Sequence, residues 1–92
     1  MRVVWTQRAV RSLEHAFEYI ATDNPVAALE LLNRIRQIAE MLGEQPYMGR
    51  AGRHPDTREL VVSRTAFIVS YQIYDTHIEI LAVIHTARRW PE

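Results

Sequence analysis

The stretch that decides the fold is Gly49–Val62, GRAGRHPDTRELVV. It holds two of the three glycines and three of the eleven arginines of the chain. It also lies where the hydrophobic pattern changes from a helical period to a strand-like one. The residues before this stretch therefore predict helices, and the residues after it predict a sheet.

Two amphipathic helices are predicted before this stretch, after a short first strand at Arg2–Trp5. The first helix covers Gln7–Ala21, where apolar residues recur at helical spacing. The second helix covers Val26–Leu42, and Gly43 is expected to end it in a left-handed conformation. The short connection between them predicts an antiparallel hairpin. The apolar stripe of the first helix is Val10, Leu13, Phe17 and Ile20.

Three further strands are predicted after the proline- and glycine-rich loop Gln45–Asp56. They are Arg58–Val62, Ala66–Tyr74 and His77–His85. The last strand is apolar on both faces, with Ile78, Ile80, Ala82 and Ile84 on one face and Leu81 and Val83 on the other, so we expect it to be central. A more polar sheet face, expected to be available to a partner, carries Ser70, Gln72 and Tyr74.

The predicted element order is therefore β-α-α-β-β-β, an α+β fold. The helical hairpin is expected to pack on one face of a mainly antiparallel four-stranded sheet. With 92 residues, we expect residues 1–92 to form one domain.

The composition narrows the classes of function. Every basic side chain is an arginine, and eleven of them balance eleven acidic residues, so the net charge lacks the excess that is typical of non-specific nucleic-acid binders. The sequence contains no cysteine, and its four histidines lack the spacing of metal ligands, so we expect no metal site and no cofactor. We see neither a signal peptide nor a membrane span, which fits a cytoplasmic protein.

Three motifs give the chain a family resemblance. They are W-x-x-x-A at Trp5–Ala9, P-Y-M-G-R-x-G-R-x-x-x-T-R-E-L-V-V at Pro46–Val62, and I-L-A-V-I-H-T-A-R-R-W-P at Ile80–Pro91. With the helical pair between them, the chain resembles the RelE/ParE superfamily of toxins from type II toxin–antitoxin modules. The resemblance implies growth inhibition, a role in plasmid stabilisation, and a cognate antitoxin that wraps the toxin, commonly in 2:2 or larger complexes.

The superfamily has two functional branches: ParE-like members poison DNA gyrase, and RelE-like members cut mRNA on the ribosome. RelE-like sequences commonly carry an arginine three residues before a tyrosine in the middle strand. Here that tyrosine is Tyr71, and the position holds Ile68. RelE-like sequences also commonly carry lysines on the preceding strand and a tyrosine on a C-terminal helix. Here the preceding strand has no lysine, and no tyrosine follows Tyr74. These differences favour the ParE-like branch, in which no catalytic residues are expected. In the alternative, an mRNA endonuclease, the acting groups would be Arg58, Arg64, His85 and Arg88.

Several residues are candidates for contact with the target or the antitoxin. They are Arg50, Arg53, His54, Arg58, Arg64, Tyr71, Arg88, Arg89 and Trp90. Several of them also have a structural alternative. Arg58 and Glu59 are placed to form an ion pair at the start of a strand, Tyr71 is a candidate for the core, and Trp90 for a terminal anchor. Tyr47 and Met48 suggest an exposed apolar contact on the loop.

Overall fold

The computed structural model describes residues 1–87 and places two helices against a five-stranded mixed sheet. The helices are α1 (Gln7–Ala21) and α2 (Pro25–Glu44). The strands are β1 (Arg2–Trp5), β2 (Arg50–Ala51), β3 (Thr57–Val61), β4 (Phe67–Ile73) and β5 (His77–His85). The candidate contacts Arg88, Arg89 and Trp90 lie outside the described residues.

The strand order across the sheet is β1-β5-β4-β3-β2. The first strand β1 runs parallel to β5, with Val3 opposite Ile78, and the other neighbours are antiparallel. The last strand β5 is flanked on both sides, as its two apolar faces predict. The α+β class and the mainly antiparallel sheet are confirmed.

The fifth strand is the difference from the predicted four. Arg50 and Ala51, expected in a loop, pair antiparallel with Glu59 and Arg58 and form β2. A single turn of 3₁₀ helix at Pro46–Met48 precedes them. Two residues are too few to show the alternating pattern by which a strand is recognised in sequence, so this edge strand escaped prediction.

Side-chain oxygens cap the starts of both helices. The Thr6 hydroxyl accepts the Ala9 N–H at 3.0 Å, and the Asn24 side chain accepts the Ala27 N–H at 3.1 Å. The predicted end of α2 is wrong, because no glycine among residues 1–87 has a positive φ and the helix continues to Glu44. A Cβ at Gly43 would lie 2.7 Å from the Met1 carbonyl oxygen. Glycine at this position therefore permits a close backbone contact rather than a left-handed turn.

The buried stripe of α1 is centred on alanines. Ala9 and Ala16 are buried, whereas Val10 is 44% exposed, so the prediction that Val10 faces the core is wrong. Small side chains let the helix lie close to β5. The Ser12 hydroxyl accepts the Val83 N–H at 2.8 Å, at a point of β5 beyond its pairing with β1. The closer approach of α1 explains why the alanines, and not the larger Val10, face the sheet.

A β-bulge at Leu81 changes which side chains of β5 face the helices. Ser70 of β4 is opposite Ala82 while Tyr71 is opposite Ile80, so Leu81 has no partner in the register. The predicted strict alternation along β5 is therefore wrong beyond Ile80. After the bulge, His85 lies on the same face as the core residue Phe67.

The opposite sheet face is less open than predicted. Ser70 is only 2% exposed, so its expected availability to a partner is wrong. This small side chain lies between Glu59 of β3 and Ala82 of β5, its neighbours on the same face. Gln72 is partly buried, and Tyr74, which lies just after β4 ends, is 39% exposed.

Candidate functional site

The loop before β2 is fixed by the buried phenol of Tyr71. The Tyr71 hydroxyl donates to the Pro46 carbonyl oxygen at 2.8 Å and accepts the Gly49 N–H at 2.8 Å. Burial raises the pKa of the Tyr71 phenol, although the Gly49 hydrogen bond and the nearby Arg58 charge act in the opposite direction. Tyr71 is therefore in the core in the isolated chain, which is the structural alternative given for it from sequence.

Arg58 completes this arrangement. Its Nη1 donates to the Gly49 carbonyl oxygen at 2.6 Å, and its guanidinium lies 4.8 Å from the centre of the Tyr47 ring. A Cβ at Gly49 would lie 2.6 Å from the Tyr71 hydroxyl, so only glycine fits between these side chains. We call Pro46–Gly49 with Arg58 and Tyr71 the loop clamp. The loop clamp holds Tyr47, 70% exposed, on the surface.

A polar concavity lies beside the loop clamp. It has a volume of about 450 Å³, and its lining includes Tyr47, Arg58, Gln72 and Tyr74. Exposed tyrosine together with arginine is the composition found at the centres of protein–protein interfaces. This end of the sheet is thus suited to contact with another protein.

Glu59 contacts two other basic residues of the loop, Arg50 and Arg53. Its carboxylate is 7% exposed, lies 3.7 Å from the Arg50 guanidinium and accepts the Arg53 N–H at 3.2 Å. The prediction that Glu59 pairs with Arg58 is wrong, because adjacent residues of a strand point to opposite faces. The His54 carbonyl oxygen accepts the Thr57 N–H at 3.3 Å and closes the turn that leads into β3.

Arg64 lies at the far end of the β3–β4 hairpin. Its φ is 64°, and the Thr65 N–H donates to the Val62 carbonyl oxygen at 3.1 Å across the turn. A positive φ at this third turn position normally favours glycine or asparagine. The backbone of Arg64 is therefore held in a conformation that its side chain disfavours.

A groove of about 520 Å³ runs between this turn and α2. We call it the turn groove and define it by Ile20, Leu31, Arg34, Arg64, Phe67 and His85; Glu30 also lines it. Leu31 and Phe67 are buried. The turn groove thus combines an apolar floor with two guanidinium groups.

His85 connects the turn groove with a second cavity of about 310 Å³ beside α1, whose lining includes His15 and Tyr19. The His85 ring packs edge-on against Phe67 at 5.1 Å and Tyr19 at 6.0 Å between ring centres. Its Nδ1 accepts the Ala87 N–H at 3.1 Å. These contacts are those of a hydrogen-bonded structural histidine at the end of a strand.

Of the three candidate groups for RNA cleavage that the structure describes, Arg64 and His85 line one groove and Arg58 lies apart from them. Arg58 lies opposite Tyr71 at one end of β4, while His85 lies opposite Phe67 at the other end. Four residues of strand separate these levels, a distance of about 13 Å. Arg64 shares the turn groove with His85, and Arg88 lies outside the described residues. A general base and a phosphate-binding cation must act on one phosphate. The Arg58 guanidinium is instead held by the Gly49 carbonyl oxygen and the Tyr47 ring, near the Tyr71 end of β4.

Two side chains of these surfaces were missing from the predicted contact residues. Tyr47 was predicted, with Met48, as an exposed apolar contact on the loop but not as a contact with the target or the antitoxin; Tyr47 is exposed, whereas Met48 is partly buried against the core. Arg34 gave no signal, because an arginine beside an apolar helical stripe is common on solvated faces. Only the fold shows that Arg34 and Arg64, distant in sequence, line one groove.

The fold agrees with that of a known protein. A solved structure titled "Chromosomal ParDE TA system from P. aeruginosa" superposes with a TM-score of 0.82 at 23% sequence identity, covering 92% of this chain and 95% of that chain. This likeness shows the shared fold.

Sequence comparison identifies the family. The family model described as "ParE toxin of type II toxin-antitoxin system, parDE" matches residues 3–90. A Sinorhizobium fredii protein named "Putative toxin Y4kP" is 41% identical over 91 residues, covering 99% of this chain and 94% of its own. Toxin RelE2 of Caulobacter vibrioides is 34% identical over 87 residues, covering 95% and 97%. The chain is therefore a member of the ParE toxin family of type II toxin–antitoxin systems, within the RelE/ParE superfamily, and membership implies an antitoxin partner.

Two further findings apply to residues 1–87. No helix in this part of the chain is long and apolar enough to cross a membrane. Among the same residues, no three or more His, Asp or Glu side chains lie together in an arrangement that could hold a metal ion.

Proposed function

We propose that this toxin stops growth by binding DNA gyrase and that a cognate antitoxin neutralises it. The observation that carries the proposal is the separation of Arg58 from His85 along β4. Arg58 is also occupied by Gly49 and Tyr47 in the loop clamp. We infer that a protein with these residues acts by docking on its target rather than by cleaving RNA. It does so as one domain over residues 1–92 and in the cytoplasm, where gyrase acts.

The loop clamp supports this proposal because it presents a rigid interaction surface. Tyr47 is exposed, yet its backbone lies in a turn fixed by Tyr71 and its ring contacts Arg58. A side chain that is ordered before binding loses little conformational entropy in a complex. We propose that the target lies against Tyr47 and the neighbouring basic residues Arg50, Arg53, His54 and Arg58.

The proposal is tested by supercoiling of relaxed plasmid with purified gyrase. Wild-type toxin is expected to inhibit supercoiling, and addition of the antitoxin is expected to restore it. Tyr47→Ala is expected to weaken inhibition about tenfold, as loss of an interface hot spot does. Tyr19→Ala is the matched control, because Tyr19 is 65% exposed on α1, away from the loop clamp. Full gyrase activity at a large molar excess of toxin would refute the proposal.

Ribosome-dependent mRNA cleavage is the second candidate, because one relative carries the name Toxin RelE2. It is tested by incubating the toxin with a translating extract and mapping mRNA ends. Cleavage at codons in the A site, lost in His85→Ala and Arg64→Ala, would establish this function. Intact mRNA together with gyrase inhibition would establish the ParE-like one.

A further inference from the structure

The turn groove is a candidate binding site because its arginine is kept at a strained position. Arg64 has a φ of 64° in a turn where glycine relieves the steric conflict. Its side chain is exposed and makes no ion pair with any residue in 1–87. Strained backbone positions tend to occur at functional sites. Nothing within the described chain accounts for an arginine here, and a partner outside it would.

Arg34 provides a second cation in the same groove. It projects from α2, is partly buried, and makes no ion pair within residues 1–87. Between the two arginines lies the apolar surface of Ile20, Leu31 and Phe67. The other charged or titratable groups that line the groove are Glu30 and His85.

This combination selects the chemistry of the occupant. Arginine binds carboxylates through paired hydrogen bonds, and an apolar floor suits aliphatic side chains. A nucleic-acid strand fits less well, because Glu30 lines the groove and the chain has a net charge of +0. The groove is therefore complementary to a protein segment that carries both acidic and apolar residues.

We propose that the turn groove binds an acidic, apolar segment of the cognate antitoxin, with Arg34 and Arg64 each pairing with a carboxylate. The inference rests on the proposed neutralisation by an antitoxin. It assigns that contact to the turn groove and leaves the loop clamp for the target. Because oppositely charged groups attract less strongly in salt, the affinity should fall as ionic strength rises.

The test measures the affinity of the full-length chain for the purified protein encoded by the adjacent reading frame. Arg64→Gly and Arg34→Gln are each expected to raise Kd about tenfold or more. Arg36→Gln is the matched control on α2, since Arg36 is exposed and lines a different concavity beside Gly43, and it should stay within about twofold. Glu30→Gln should lower Kd, because it removes from the groove a negative charge that repels the acidic segment.

The substitution Arg64→Gly separates binding from folding, because glycine suits the turn and the melting temperature should not fall. If the adjacent-frame protein binds wild type and both arginine variants equally, the inference is wrong while neutralisation stands. If that protein does not bind wild type at all, neutralisation by it fails, and the inference fails with it. If a 20-nucleotide single strand binds the groove and the arginine variants abolish that binding, the occupant is nucleic acid and the inference is overturned.

Discussion

Arg58 and Arg64 lie at the two ends of one hairpin and are held in opposite ways. Arg58 donates a 2.6 Å hydrogen bond to a backbone carbonyl and stacks on Tyr47. Arg64 has a left-handed backbone and no ion pair within residues 1–87. The contacts of Arg58 stabilise the folded chain, whereas the folded chain only accommodates Arg64. The comparison teaches that two arginines of similar appearance in sequence can be told apart only in the fold, where one is held by contacts within the chain and the other makes no ion pair with the described residues.

The largest effect is expected at the loop clamp. Tyr71→Phe removes the hydroxyl and leaves the Pro46 carbonyl and the Gly49 N–H without their partner. We expect the free energy of unfolding to fall by about 2–4 kcal/mol, since an unsatisfied buried group costs about 1–3 kcal/mol and the Pro46 carbonyl is only partly buried. Urea denaturation measures it. Tyr47→Phe, which alters an exposed ring, serves as the control and should change stability by less than about 0.5 kcal/mol.

A smaller loss should distinguish the two arginines directly. Arg58→Gln removes a charge-assisted hydrogen bond and the contact with Tyr47, so we expect the free energy of unfolding to fall by about 1.5–3 kcal/mol. Arg64→Gln should change it by less than about 0.5 kcal/mol, because both side chains meet the same backbone strain. Equal losses in the two variants would remove the distinction.

The opposite sign is expected when the strain at the turn is relieved. Arg64→Gly should raise the free energy of unfolding by about 1 kcal/mol, since a left-handed φ costs a residue with a Cβ about 1–2 kcal/mol and glycine gives back part of this in the unfolded chain. Differential scanning calorimetry measures the shift in melting temperature. A lower melting temperature would show that the Arg64 side chain contributes to the fold.

The pH dependence gives the smallest effect, because the Gly49 hydrogen bond and Arg58 partly offset the influence of burial on Tyr71. The pKa of the folded Tyr71 phenol is raised above its usual value of about 10, so the native state retains this proton to higher pH than the unfolded state. Stability from this group is complete below pH about 10 and falls as the pH rises towards the folded pKa. Denaturant midpoints between pH 9 and about 11 should show this slope in wild type, and the slope should be weaker in Tyr71→Phe.

Sequence periodicity predicted the elements that pack large apolar faces. The helix at Gln7–Ala21 and the strand His77–His85 have the predicted bounds. Prediction failed where one or two residues decide the geometry. The bulge at Leu81 and the pair Arg50–Ala51 leave no periodic signal, and the helical role of Gly43 depends on the approach of Met1, which only the tertiary structure reveals.

The candidate site was predicted as one set of residues, most of them arginines, and not as two surfaces. Local sequence places Arg58 and Arg64 close together, whereas the hairpin carries them to opposite ends of β4. The contribution of Arg34 depends on how α2 lies against the β3–β4 turn, which hydrophobic spacing does not specify. Partnerships between distant residues are thus the part of the site that needed the fold.

The parallel pairing of β1 with β5 has a consequence for biosynthesis. Strand β1 is synthesised first and cannot pair until β5, the last of the five strands, has been synthesised, because Arg2 pairs opposite His77 and Trp5 opposite Ile80. A ribosome must therefore translate nearly all of the described chain before the sheet can close, and contacts this distant in sequence form slowly. The sheet of an emerging chain consequently stays incomplete until synthesis has passed β5, and β1 remains without its neighbouring strand until then.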